Sequence, residues 1–227
     1  MLGDERKIEK LYPTKIMSNV KKVAHGFSMI LILKEDATLW SYGNDTYIGF
    51  DQDKDGYSNF DELTPIKIMD DIVDIAAGDA HGLAVKSDGT LFAWGDNSSG
   101  QLGDGTTEVR YTPIKIMDNV LSVDAHEYSS FAIKNDRTLL GWGNNYYSQL
   151  GDGTMTNRLT PIQITDNVKF VSAGEGATFV IKNDDTLWCC GNNSDTKILD
   201  EVFLPGNKIT SNGIIFKDEV STVCFKK

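Results

Sequence analysis

Long apolar runs are missing from this 227-residue sequence. Nothing in it approaches the ~18 consecutive apolar residues that a membrane helix requires, so neither a spanning segment nor a membrane partner is expected. The first stretch, MLGDERKIEKLYPTK, lacks the apolar core of a secretory signal, and a cytoplasmic setting is the expectation. Cysteine is scarce. Cys189, Cys190 and Cys224 are odd in number and two of them are adjacent, which argues against a disulfide framework. Dense clusters of lysine and arginine are absent, and the formal net charge is -11. Phosphate binding needs a concentrated basic surface, so a nucleic-acid partner is not expected.

Enzyme signatures are also wanting. There is no G-x-S-x-G elbow, no G-x-x-x-x-G-K-[ST] loop and no H-E-x-x-H pair. The histidines, His25, His81 and His126, offer no obvious nucleophile and orienting carboxylate beside them. No catalytic residue is assigned, and a non-enzymatic protein is the expectation. Proline is sparse at five residues, whereas glycine reaches 21, a balance that favours tight turns and β structure.

What the sequence does contain is a repeat. KEDATLWSYGN, KSDGTLFAWGD, KNDRTLLGWGN and KNDDTLWCCGN align, with their last glycines at Gly43, Gly95, Gly143 and Gly191, spaced 52, 48 and 48 residues apart. A second marker keeps step: PTKIM, PIKIM, PIKIM and PIQIT begin at Pro13, Pro65, Pro113 and Pro161. Units of 13–64, 65–112, 113–160 and 161–204 follow, with 205–227 as a partial blade or closing strands. Each unit reads as four short strands starting with the proline-led run, and Asp88-Gly89 marks a hairpin. Alternate positions share apolar columns, such as Leu31, Leu83, Phe131 and Phe179, so every sheet has a face it cannot bury alone. Face-to-face stacking buries it, and the expected fold is an all-β propeller with four four-stranded blades and a partial fifth, open or incomplete. Trp94 and Trp142, in one column with Tyr42 and Cys190, are expected between blades.

GTLFAWGDNSSGQLGDGT (Gly89 to Thr106) and RTLLGWGNNYYSQLGDGT (Arg137 to Thr154) resemble the repeat of the regulator of chromosome condensation family, in its bacterial type. AAGDAHGLAVKSDGTL before the first also fits, with His81 at the family's characteristic histidine. The resemblance spans roughly Pro13 to Asn193. It implies a propeller, usually of seven blades, and a family that includes exchange factors for small GTPases and a bacterial inhibitor of β-lactamases with an aromatic-rich face. No residue specific to nucleotide exchange carries over.

The first unit is four residues longer than the next two, and the excess lies in FDQDKDGYSNFDEL. Asp51, Asp53 and Asp55 fall at positions 1, 3 and 5 of a calcium loop, Gly56 at the turn, Tyr57 and Asn59 at 7 and 9, and Glu62 at 12. Crowded carboxylates repel unless a hard cation neutralises them. Ser58 stands where EF-hands carry an apolar residue, and no helices are expected to flank the loop, so a solvated Asp-rich turn is the alternative. Calcium in a structural role is the expectation.

The remaining candidates lie in the loops after the glycine column: Asn97, Gln101, Asn145, Tyr146, Tyr147 and Gln149, expected to touch a protein partner. The expected function is a scaffold for protein–protein interaction. An exchange factor-like regulator or an enzyme inhibitor are the alternatives, and self-association through open blade faces is a further expectation.

Overall fold

The computed structural model describes residues 12, 13, 15–43, 47–49 and 65–192. Among the described residues, fifteen strands form four antiparallel sheets. Blade 1 comprises β1 (Val20–His25), β2 (Met29–Lys34), β3 (Leu39–Gly43) and β4 (Ile66–Met69). Blade 2 comprises β5 (Ile72–Ala77), β6 (His81–Lys86), β7 (Leu91–Gly95) and β8 (Arg110–Met117). Blade 3 comprises β9 (Val120–His126), β10 (Ser129–Lys134), β11 (Leu139–Gly143) and β12 (Arg158–Thr165). Blade 4 has three strands among the described residues: β13 (Val168–Gly174), β14 (Ala177–Lys182) and β15 (Leu187–Gly191). The architecture is a partial propeller of the expected kind.

One expectation about its units is corrected. The proline-led run does not open a sheet; it closes the sheet before it. In blade 2, Phe92 of β7 pairs with Lys115 of β8 and Ala93 with Ile114, across the long loop that joins them. Two residues then carry the chain to the next sheet. Ile72, Val120 and Val168 donate their N–H groups to Ala37, Gly89 and Arg137, each at 2.9 Å, in the turns between the second and third strands of the preceding blade. That bond swings each first strand across to a new sheet. The first three blades therefore run 20–69, 72–117 and 120–165, and the fourth starts at 168, with its described strands reaching 191, one strand out of step with the repeat units. The proposed closing segment, 205–227, lies outside the described residues.

Contacts between sheets run from first strand to first strand (β1 to β5, β5 to β9, β9 to β13) and from second strand to the next first strand. The blades thus converge along their first strands, as sheets in a radial array must. Three apolar clusters fill the spaces between them. Leu31, Leu33 and Leu39 meet Ile72, Ile75 and Trp94; Leu83, Val85 and Leu91 meet Val120, Val123 and Trp142; Phe131, Ile133 and Leu139 meet Val168, Val171 and Val180. Trp94 and Trp142 are fully buried, where the sequence places them. The glycine that follows each takes a left-handed backbone, φ +101° at Gly95 and +93° at Gly143, and a Cβ there would strike the carbonyl of Ala80 or Tyr128.

Candidate partner-binding loops

The turns joining first to second strands, and the loops joining third to fourth, emerge at the same end of the blades, because each strand reverses direction. The two loops described in full, 96–109 and 144–157, are built alike. Asn97 is wholly buried: its Oδ1 accepts the Leu102 N–H at 3.0 Å, and its Nδ2 donates to Asp104 Oδ1 and the Thr106 carbonyl, both at 3.0 Å. Asn145 repeats this with Leu150, Asp152 and Thr154. Gln101 Oε1 accepts the Ser99 N–H at 2.8 Å while Nε2 donates to Asp96 at 2.7 Å, and Gln149 does the same with Tyr147 and Asn144. These four amides, expected at a partner surface, are turned inward and hold the loops in shape. A side-chain amide suits this task because it donates and accepts at once.

An ion pair closes each loop. Arg110 Nε reaches Asp104 Oδ2 at 2.8 Å and its Nη2 at 2.6 Å, and Arg158 Nε reaches Asp152 Oδ2 at 2.7 Å. Burial pushes both carboxyls up, but the hydrogen bonds from threonine and arginine outweigh it and hold them below the ordinary range. Leu102 and Leu150 then plug the core, fully buried. The loop of one blade also seats on the next blade: Trp142 Nε1 donates to the Gln101 carbonyl at 2.9 Å, and Cys190 Sγ, in the same column, approaches the Gln149 carbonyl at 3.3 Å.

Against this fixed base two candidates do face solvent. Tyr146 is 65% exposed and Tyr147 44%, their rings edge to face with centroids 5.0 Å apart. Tyr147 lies over Gly176 of blade 4, where a Cβ would come to 3.1 Å from its ring. Carboxylates gather in the first-to-second-strand turns at the same end of the blades, with Glu175 next in sequence to Gly176. Burial pushes the Glu127 carboxyl up, His126 pulls it down, and the charges of Asp79 and Glu175 push it up again, leaving it above the usual range.

Sequence reasoning missed a buried polar chain. His81 Nε2 lies 2.8 Å from Ser130 Oγ, and that hydroxyl donates to the Gln101 carbonyl at 2.7 Å. The contact acts as a rivet between blades 2 and 3. Burial holds the imidazolium pKa down to about 4, so the ring is neutral at ordinary pH. Two acidic residues of the inner strands were missed as well. Asp74 accepts the Val123 N–H at 3.0 Å and Asp124 the Ala173 N–H at 2.7 Å, each tying one blade to the next. The two donors sit 49 residues beyond their acceptors, a separation that a reading of local motifs does not connect.

The calcium-loop residues Asp51, Asp53, Asp55, Tyr57, Asn59 and Glu62 lie outside the described residues. Among those described, no group of three or more His, Cys, Asp or Glu could hold a metal ion, and no helix is long and apolar enough to cross a membrane.

Two signatures described as the regulator of chromosome condensation (RCC1) repeat match, one at 72–101 and 168–196, the other at 88–133 and 138–181. The E3 ubiquitin-protein ligase HERC2 of Homo sapiens is 32% identical over 90 residues, which is 40% of this chain and 2% of that protein, and the Mus musculus protein matches equally. Among solved structures, human WBSCR16 superposes with a TM-score of 0.66 at 25% identity, over 76% of this chain and 47% of that one. Prp20p from Saccharomyces cerevisiae gives 0.63 at 26% identity, over 77% and 44%. This chain therefore spans under half of either solved relative and a small fraction of HERC2. With its repeat signatures covering over half of its length and its blades superposing on those of solved relatives, the chain belongs to the RCC1 repeat family.

Proposed function

We propose that the chain is a non-enzymatic scaffold that binds a protein partner through its loop face, with Tyr146 and Tyr147 as anchors. The observation that carries this is a loop whose polar groups are satisfied internally and which presents two exposed aromatic rings from a rigid base. Aromatic side chains supply large contact area at little entropic cost, and preorganisation lowers the cost of docking. The carboxylates of Asp79, Glu127 and Glu175, in the turns at the same end of the blades, suit a partner with basic side chains. Prp20p, described with its binding to Gsp1p and histones, and the same yeast protein bound to Kap60, lend support by family likeness. In the test, a partner captured by the chain is purified and titrated calorimetrically. Tyr146→Ala with Tyr147→Ala should weaken binding about tenfold or more with unchanged thermal stability; unaltered affinity would overturn the reading.

The likeness to Prp20p favours a second reading, an exchange factor-like regulator of a small GTPase. Accelerated nucleotide release from a purified GTPase supports it, whereas stoichiometric binding without acceleration supports the scaffold. We also read the repeats as bacterial in type, a reading that goes with the inhibitor variant of the scaffold, in which the aromatic face occupies an enzyme's active site. Calcium at the Asp51–Glu62 loop is part of the proposal too. Titration with calcium should give heat that Asp53→Ala removes, and no heat at millimolar calcium rules the site out.

A further inference from the structure

Blade 4 turns one apolar face away from the other described sheets. In the columns that meet a following blade, Leu31, Leu83 and Phe131 are 0% exposed, as are Leu39, Leu91 and Leu139. Their counterparts Phe179 and Leu187 are only partly covered, as is Ile181, and Phe170 on the same face is 43% exposed. Blade 1 has the opposite gap. Val20 is 37% and Val23 54% exposed, in columns where Ile72 and Ile75 of blade 2 are fully buried.

The main apolar columns of these two faces are counterparts. Blade 4 offers Phe179, Ile181 and Leu187; blade 3 uses the same three types, Phe131, Ile133 and Leu139, to pack against blade 4. Blade 3 meets there Val168, Val171, Val180 and Trp188. In those columns blade 1 carries Val20, Val23, Ile32 and Trp40, three of them identical and the fourth longer by a methylene; Val20 and Val23 are exposed and Trp40 half-buried, whereas Ile32 is buried. Much of the packing between blades 3 and 4 thus recurs, one half at each end of the described array; the blade 4 counterparts of Leu150 and Ile164, which also belong to that packing, lie outside the described residues. The departures are His25, standing where Ala77, Ala125 and Ala173 occur, and on blade 4 Phe170 and Cys189, standing where blade 3 has Ser122 and Gly141.

We infer that a second copy of this chain seats its blade 1 on blade 4 of the first, head to tail, and rebuilds the interface between blades 3 and 4. The contact is heterologous, so each copy keeps one face for a further copy. It uses neither Tyr146 nor Tyr147 and is independent of the partner-binding loops.

Sedimentation velocity on the 227-residue chain over a concentration series should show monomers passing to dimers or longer assemblies. Val23→Glu and Phe170→Glu should each raise the dissociation constant about tenfold or more, since a charge would be buried without a partner. Mixing the two variants should restore a 1:1 pair that grows no further, because the mixture retains one sound blade 4 face and one sound blade 1 face. If either glutamate variant loses its strand signal by circular dichroism, Val23→Ser and Phe170→Ser take its place. A strictly monomeric wild type, or association untouched by the variants, overturns the inference. So does a mixture no better than either variant alone, since two faces that each pair with themselves give that result.

Discussion

Among the described residues, His81 and Asp124 are the two side chains whose ionisation the fold alters most, and they pull in opposite directions. His81 has a folded pKa of about 4 against 6.5 in the unfolded chain. As pH falls through that window the unfolded chain takes up a proton that the native state refuses, so stability is lost on acidification, by on the order of 3 kcal/mol. Burial raises Asp124 from 3.8 to about 6, opposed by its hydrogen bonds from Ala173 and Ala125. Its contribution is fully present below 3.8 and is lost as pH rises through about 6, on the same scale. The two offset each other in the wild type. Asp124→Asn, which keeps an acceptor for the Ala173 N–H, should therefore make stability fall steeply between pH 6.5 and 4. His81→Asn should reverse that slope, and denaturant unfolding at several pH values reads both. A second residue-scale prediction concerns the turn after each second strand. Gly89 takes φ +84° there, but Ala37, Arg137 and Asp185 hold φ values of 62°, 69° and 62° without being glycine. Ala37→Gly should stabilise by about 0.5–1 kcal/mol, because a left-handed backbone costs an alanine more than the glycine loses in unfolded-state entropy.

At the scale of the element, the loop after the third strand behaves as one cooperative unit. Asn145→Ala removes the acceptor of the Leu150 N–H and the donor to Asp152 and Thr154 together. Leaving a buried amide unpaired should cost about 2–3 kcal/mol, measurable by chemical denaturation. The same variant should loosen the base beneath Tyr146 and Tyr147 and weaken partner binding without touching either ring. Arg158→Lys should cost less, about 1 kcal/mol, since the charge stays and only the fixed guanidinium geometry is lost. The column that ends in Trp142 and Cys190 belongs to this scale as well, because in each the side chain reaches back to a loop carbonyl of the preceding blade.

Across the whole molecule, stability resides between the blades. No single sheet contains its own core; each cluster draws on two. Phe131 and Phe179 make an internal control, being the same residue in the same column of successive blades. Phe131 is fully buried against blade 4, whereas Phe179 is only partly covered. Phe131→Ala should cost about 3–5 kcal/mol and Phe179→Ala clearly less. The comparison is made by denaturant unfolding at concentrations low enough to keep the chain monomeric. Equal losses would mean that the Phe179 face is packed as tightly as the interior ones.

The sequence by itself determined the repeat, the strand content, the apolar columns, the buried tryptophans and the glycine after each, because these depend on periodicity and backbone geometry that any fifty-residue unit must obey. It could not say where one blade ends. The proline-led run reads equally as a first or a last strand, and only pairing across the long loop, with first strands docking on turns of the preceding blade, assigns it. Tyr146 and Tyr147 were legible as exposed from their place at a loop tip. Asn97, Gln101, Asn145 and Gln149 share that loop and look equally polar, yet they face inward, since the carboxylates and carbonyls they satisfy meet them only when the loop closes. His81 with Ser130, and Asp74 and Asp124 with the strands beyond, are likewise decisions of tertiary structure: each links groups about one blade apart in sequence, and stacking alone brings them within hydrogen-bond reach.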